Sequence, residues 1–193
     1  MIALFFDTET TGLPIWKEPS DDPKQPHVVD LACELWDVPS QQMIERYDAI
    51  VNIGVPIPAD MTAIHGITDE MAAAGIAPGD VLAEFLRLVN RADLLAGHNV
   101  SFDIRMMRIM AARCTGEKWE PLQPSFCTMR KSTNLVKAVK PSARRPDDYK
   151  WPTLTEAMRH FFDEDHGDAH RAAPDCAAAR RVYFALHEQA VAA

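Results

Sequence analysis

The chain opens on an unbroken apolar run, Ile2-Ala3-Leu4-Phe5-Phe6, which stops abruptly at Asp7-Thr8-Glu9-Thr10-Thr11-Gly12-Leu13. A run that is apolar on both alternating faces predicts a buried strand. His27–Val38 is again apolar and predicts a second strand. Met43–Ile53 is partly alternating and predicts a third, with Pro39-Ser40-Gln41-Gln42 as the hairpin between them. The pattern then changes period. Ile57–Gly66 suits a short helix. Val81, Leu82, Phe85, Leu88 and Val89 share one helical face over Pro78–Arg91, with Pro78 fitting the first turn. Leu94–Gly97 predicts a short buried strand. Val100–Cys114 predicts a helix apolar over much of its surface, whose Met-rich side suits core packing. Thr153-Leu154-Thr155-Glu156 is a capping-box pattern opening a helix to about Phe162, and a last helix runs from about Pro174 to Ala192. Strands first, then strand and helices in alternation, predict an α/β fold with a mixed central sheet.

Two segments interrupt the pattern. Residues 14–27 contain Pro14, Pro19, Pro23 and Pro26 and read as a surface loop. Residues 130–150 carry Arg130, Lys131, Lys137, Lys140, Arg144, Arg145 and Lys150 against only Asp147 and Asp148. The whole chain is acidic, with a net charge of −8, which by itself disfavours a nucleic-acid partner. A basic segment on an acidic body reads either as a solvated loop or as a contact for a polyanion.

At 193 residues the chain fits a single domain with a sizeable core, and its 47% hydrophobic and 25% charged residues are ordinary for a globular protein. No apolar run approaches a membrane span. The first residues lack a basic lead and run straight into Asp7, unlike a signal peptide. Cys33, Cys114, Cys127 and Cys176 are scattered with no C-x-x-C pair. That argues against a zinc site and predicts reduced thiols in the cytoplasm.

The chemistry concentrates at three stations. In an extended strand, residues two apart face the same way, so Asp7 and Glu9 converge on one spot. Two carboxylates at the end of a buried strand are costly unless a cation sits between them, and paired oxygens suit a hard divalent ion. His98-Asn99-Val100-Ser101-Phe102-Asp103 follows the short strand and places Asp103 near a helix start. His170-Arg171-Ala172-Ala173-Pro174-Asp175 places Asp175 beside another helix start, with His170 on the preceding loop. Taken singly, Asp103 and Asp175 read as acids favoured by a helix dipole.

The early D-x-E, the central H-N-x-x-F-D and the late H-x-x-x-x-D, in that order, resemble the DEDD superfamily of 3′→5′ exonucleases. The match is to the DnaQ-like subgroup with a catalytic histidine, DEDDh, and it extends over nearly the whole sequence. The resemblance implies a ribonuclease H-like fold of about five strands, the first three antiparallel, flanked by helices. It implies two divalent ions, Mg²⁺ or Mn²⁺, held by Asp7, Glu9, Asp103 and Asp175, with Asp7 bridging both. Glu9 and Asp175 would complete the site for the attacking water, and Asp103 would help hold the ion at the substrate phosphate. His170 would be the general base. The turn Thr10, Gly12 and Leu13 would lie against the terminal nucleotide, with Leu13 as a wedge. Asn99 falls with these substrate contacts, and His65, in Ile64-His65-Gly66-Ile67-Thr68, would approach the sugar end. Phe102 reads equally as core packing or as a stacking surface. His98 is expected behind the site rather than on a metal.

The expected activity is release of 5′-mononucleotides from single-stranded or frayed DNA ends. RNA trimming is the alternative, and an inactive end-binding module is a remote one. The D-T-E-T-T-G-L form is closer to the DNA branches than to the oligoribonucleases. The expected partner is single-stranded or 3′-terminal nucleic acid. A polymerase or repair partner stays open, although no clamp peptide and no polymerase-binding tail is evident, so a free-standing enzyme is expected. Segments 14–27 and 130–150 remain open as partner contacts.

Overall fold

The computed structural model describes residues 1–142, 144–145, 147–166 and 170–192, the side chains of 189–192 excepted. Three strands come first: β1 (Ile2–Thr10), β2 (Val28–Asp37) and β3 (Gln42–Ile50). Helices α1 (Ala59–His65), α2 (Asp69–Ala73) and α3 (Pro78–Val89) follow, then β4 (Leu94–Gly97) and α4 (Val100–Thr115). The protein continues through β5 (Ser125–Cys127), α5 (Thr128–Val136), α6 (Leu154–Phe162) and α7 (Ala172–Ala192). The sheet order is β3-β2-β1-β4-β5. β1, β2 and β3 are antiparallel neighbours, and β4 and β5 add in parallel. The pattern predicts the mixed sheet and the resemblance its five strands, and a helical layer covers each face.

The opening run is apolar throughout because both faces of β1 are covered. Leu4 and Phe6 pack with Val81, Phe85, Met106 and Met107 of α3 and α4. Ala3 and Phe5 pack on the other face with Cys176, Tyr183 and Phe184 of α7. The same alternation sends Asp7 and Glu9 toward α7 and Thr8 toward α4. The strand also extends beyond its apolar part, to Thr10, so both acids lie within it rather than after it.

Three elements escape the pattern. β5 has three residues, α2 has five, and α5 buries only Thr128, Met129 and Ser132, so its period is hidden among polar side chains. The segment read as one basic insertion at 130–150 is therefore two things. Its first part is α5, and the rest is an irregular excursion tied by a bridge between Val139 and Tyr149. α7 begins at Ala172, two residues before Pro174. Proline is tolerated there because N–H groups of a first turn have no partner within the helix. The capping box at Thr153 is formed in both directions. Among the described residues, no helix is long and apolar enough to cross a membrane.

Candidate active site

Asp7 and Glu9 project from the α7 face of β1, and Asp175 lies in the first turn of α7. One carboxylate oxygen from each meets the others within 4.8 Å. Asp103 comes from the opposite layer, in the first turn of α4, and is buried at 2% exposure. The backbone N–H of Thr8 donates to its Oδ1 at 3.0 Å, and the Thr8 hydroxyl donates to the same oxygen at 2.8 Å. The four acids thus gather at one end of β1 from both sides of the sheet.

Their electrostatics are unfavourable without a cation. Burial, followed by the charges of Asp103, Asp175 and Glu9, pushes the Asp7 carboxyl well above its ordinary range. Burial, then Asp175, pushes Glu9 up to about 8. Asp103 is raised by burial to about 7, although both Thr8 hydrogen bonds oppose the shift. Crowded, partly desolvated carboxylates either hold protons or hold metal. Oxygen-only donors in such a cluster fit hard divalent cations.

A fifth acid is not evident from the sequence. Asp30 of β2 pairs directly opposite Glu9 in the ladder, a like-charge juxtaposition. Arg171 relieves it: its Nε–H donates to Asp30 Oδ2 at 3.0 Å, and the Ala172 N–H donates to the same oxygen at 3.4 Å. Burial still raises the Asp30 carboxyl. Its only signal in the sequence is its register against Glu9, which stays hidden until the strands are paired.

The histidines divide unexpectedly. His166 Nε2, not the His170 imidazole, contacts Asp175 Oδ1. His170 is exposed, adopts a left-handed backbone with φ of 70°, and gives its backbone N–H to Asp175 Oδ2 at 3.3 Å. Spacing to Asp175 points to His170 and does not reveal the second histidine four residues earlier. His98 is held between Thr128 Oγ1 and the Pro152 carbonyl, each at 3.0 Å, with Nε2–H donating to the carbonyl. Burial lowers it to about 4, so it is a neutral peg behind the site.

The predicted end-recognition residues differ widely in exposure. Thr10 is buried and its hydroxyl donates to the Gly12 carbonyl at 2.8 Å, so it shapes the turn. Gly12 has φ of 154°, which favours glycine. Leu13 is 82% exposed. The loop behind it is firmly held. The Gln25 carboxamide donates to the carbonyls of Ile15 and Pro19 at 2.9 and 3.0 Å and accepts from the Ile15 N–H at 3.0 Å. Arg105 of α4 donates to Ser20 Oγ at 2.8 Å and to the Glu18 carbonyl at 2.5 Å. His65 is buried. Its Nδ1 accepts the Ile67 N–H at 3.1 Å, and its Nε2 has no partner among the described residues. Burial lowers its pKa, so it is neutral with the proton on Nε2. Asn99 takes a left-handed conformation with φ of 69° at the start of α4. Phe102 is half-buried, packing partly on the core and partly open.

The exonuclease family RNase_T matches the chain over residues 4–183. The chain belongs to the DnaQ-like DEDD exonucleases. It is 30% identical to exonuclease CP81 of Escherichia phage 186 over 90% of this chain and 81% of the phage protein. It is 38% identical to a DNA polymerase III subunit epsilon-like protein of Rhodobacter capsulatus over 53% of this chain, which spans only 14% of that protein's length. In fold, exonuclease I of E. coli bound to a dT13 oligonucleotide superposes with a TM-score of 0.71 at 17% identity, over 97% of this chain and 41% of the other. Exonuclease X in complex with 5′-overhanging duplex DNA superposes with a TM-score of 0.63 at 21% identity, over 97% and 92%. DEDD exonucleases act on nucleic acid and use divalent metals, which agrees with the hard-oxygen cluster at the end of β1.

Proposed function

We propose that this exonuclease works from the 3′ end, releasing 5′-mononucleotides from single-stranded or frayed DNA. The observation that carries the reading is the convergence of Asp7, Glu9 and Asp175 within 4.8 Å, with Asp103 brought in by Thr8. Asp7, Glu9, Asp103 and Asp175 would hold two divalent ions, Mg²⁺ or Mn²⁺. Such ions relieve charge on the phosphate, activate water and stabilise the leaving oxygen. The protein's own residues do the rest. The four carboxylates set the place, at the end of β1, where the reacting phosphate would lie once their charge is neutralised. His170, exposed just before α7, takes the proton from the attacking water.

End recognition falls to the turn after β1. Leu13 wedges against the last base, held by the pinned loop behind it. The unpaired Nε2–H of His65 donates to a sugar oxygen. A buried donor without a partner costs about 1–3 kcal/mol, so a bound substrate that fills the gap gains binding. Phe102 offers its open edge to the terminal nucleotide, and Asn99 lies at the same helix start. DNA is favoured because the solved neighbours hold a deoxyoligonucleotide and an overhanging duplex, and because the epsilon-like relative is named for a DNA polymerase.

Product analysis on 3′- and 5′-labelled strands of one sequence, as DNA and as RNA, tests this. Metal-dependent release of mononucleotides from the 3′ end, faster on DNA, is expected. Internal cuts, or mononucleotides from the 5′ end, would overturn the directional reading. A faster RNA rate would transfer the enzyme to the RNA-trimming class.

A further inference from the structure

We propose that the Trp151 indole, with the Arg130 guanidinium packed on it, is a stacking site for a nucleobase of the strand upstream of the cleaved end. The inference rests on the single-strand reading above and adds to it a second subsite. Trp151 is 60% exposed, unusual for a large aromatic that has a protein core available to it. Arg130 Cζ lies 5.5 Å from the ring centroid.

Both residues hang from one peg beside the carboxylates. His98 directly follows β4, next to Asn99 and the start of α4. Its Nδ1 is 3.0 Å from Thr128 Oγ1, two residues before Arg130. Its Nε2 is 3.0 Å from the carbonyl of Pro152, the residue after Trp151. The backbone before Trp151 is fixed as well, by the Lys150 N–H donating to the Ala138 carbonyl at 2.8 Å. The capping box of α6 begins at Thr153. An exposed ring on so constrained a backbone is preorganised: little freedom is lost when a flat partner lands on it.

The charges beside the ring select the partner. Lys140 is paired with Asp148, and Lys150 with Glu156. Arg130, Lys131, Lys137, Arg144 and Arg145 make no ion pair among the described residues. A rigid indole with an unpaired guanidinium against it matches a polymer that alternates flat rings with phosphates. Stacking of this kind tolerates any base, as an exonuclease requires.

The test uses dT12 in EDTA, where no hydrolysis occurs. Trp151→Ala is expected to weaken binding about tenfold, and Trp151→Phe to restore most of it. Quenching of tryptophan fluorescence by dT12 should largely disappear in Trp151→Phe, whose fold keeps Trp16, Trp36 and Trp119 as emitters. With Mg²⁺, KM for dT12 should rise in Trp151→Ala. Turnover of the p-nitrophenyl ester of thymidine 5′-monophosphate, too short to reach the ring, should be unchanged. Wild-type binding by Trp151→Ala, or equal loss on both substrates, would overturn the stacking site. If wild-type protein hydrolysed neither substrate yet Trp151→Ala lost binding, the stacking site would stand and the catalytic reading would fall.

Discussion

Glu9 shows how the site trades stability for chemistry. Its carboxyl is raised from 4.5 to about 8 by burial and by Asp175. The folded protein therefore holds this proton more tightly than the unfolded polypeptide does. In metal-free protein the associated stability is fully present below pH 4.5 and is lost as pH rises through about 8. Thermal melts in EDTA should show a midpoint several degrees lower at pH 8.5 than at pH 5.5, and Glu9→Gln should flatten that difference. A midpoint that rises with pH, or a Glu9→Gln profile parallel to wild type, would contradict the crowding account. His170→Ala should cut turnover by about 10²–10⁴-fold while sparing Mn²⁺ affinity. The same measurements on His166→Ala separate the two histidines. Full activity in His170→Ala with loss in His166→Ala would move the base to the residue that contacts Asp175.

The elements of the site are joined by side-chain ties that can be cut one at a time. Gln25 is buried and holds the Pro-rich loop through Ile15 and Pro19. Gln25→Ala leaves backbone groups unpaired, costs about 1–3 kcal/mol, and should free the turn that carries Leu13. KM for frayed ends should then rise with kcat on the nitrophenyl ester unchanged; an unchanged KM would show that the loop does not position the wedge. Much of this architecture is legible in the sequence. β1, the β2–β3 hairpin, α3, α4 and the Thr153 box repeat with a clear period or carry a capping signal. Asp7 and Glu9 can be placed on one face from their spacing alone. The parts that stay hidden have physical reasons. β5 is too short to show a period, and α5 buries too few apolar groups. Asp30 joins the site only through its cross-strand register, and His166 only through a side-chain contact with Asp175 that spacing does not encode.

Over the whole molecule, an acidic chain of net charge −8 combines an anionic centre with a basic segment at 130–150. Divalent ions reconcile the two by neutralising the carboxylates where phosphate must approach. Replacing Lys137, Arg144 and Arg145 together by Ser should weaken single-strand binding and reduce the salt slope by about 0.7 for each phosphate no longer neutralised. An unchanged slope would mean that the segment is merely solvated. The account's central claim is that the four crowded carboxylates exist to hold cations. Calorimetric titration of Mn²⁺ at pH 7, in two buffers of different ionisation heat, tests it most directly. The account predicts binding with net proton release, because Glu9 and Asp103 titrate near 8 and 7 in metal-free protein, and loss of that binding in Asp7→Asn. Absence of binding, binding without proton release, or wild-type affinity in Asp7→Asn would contradict it.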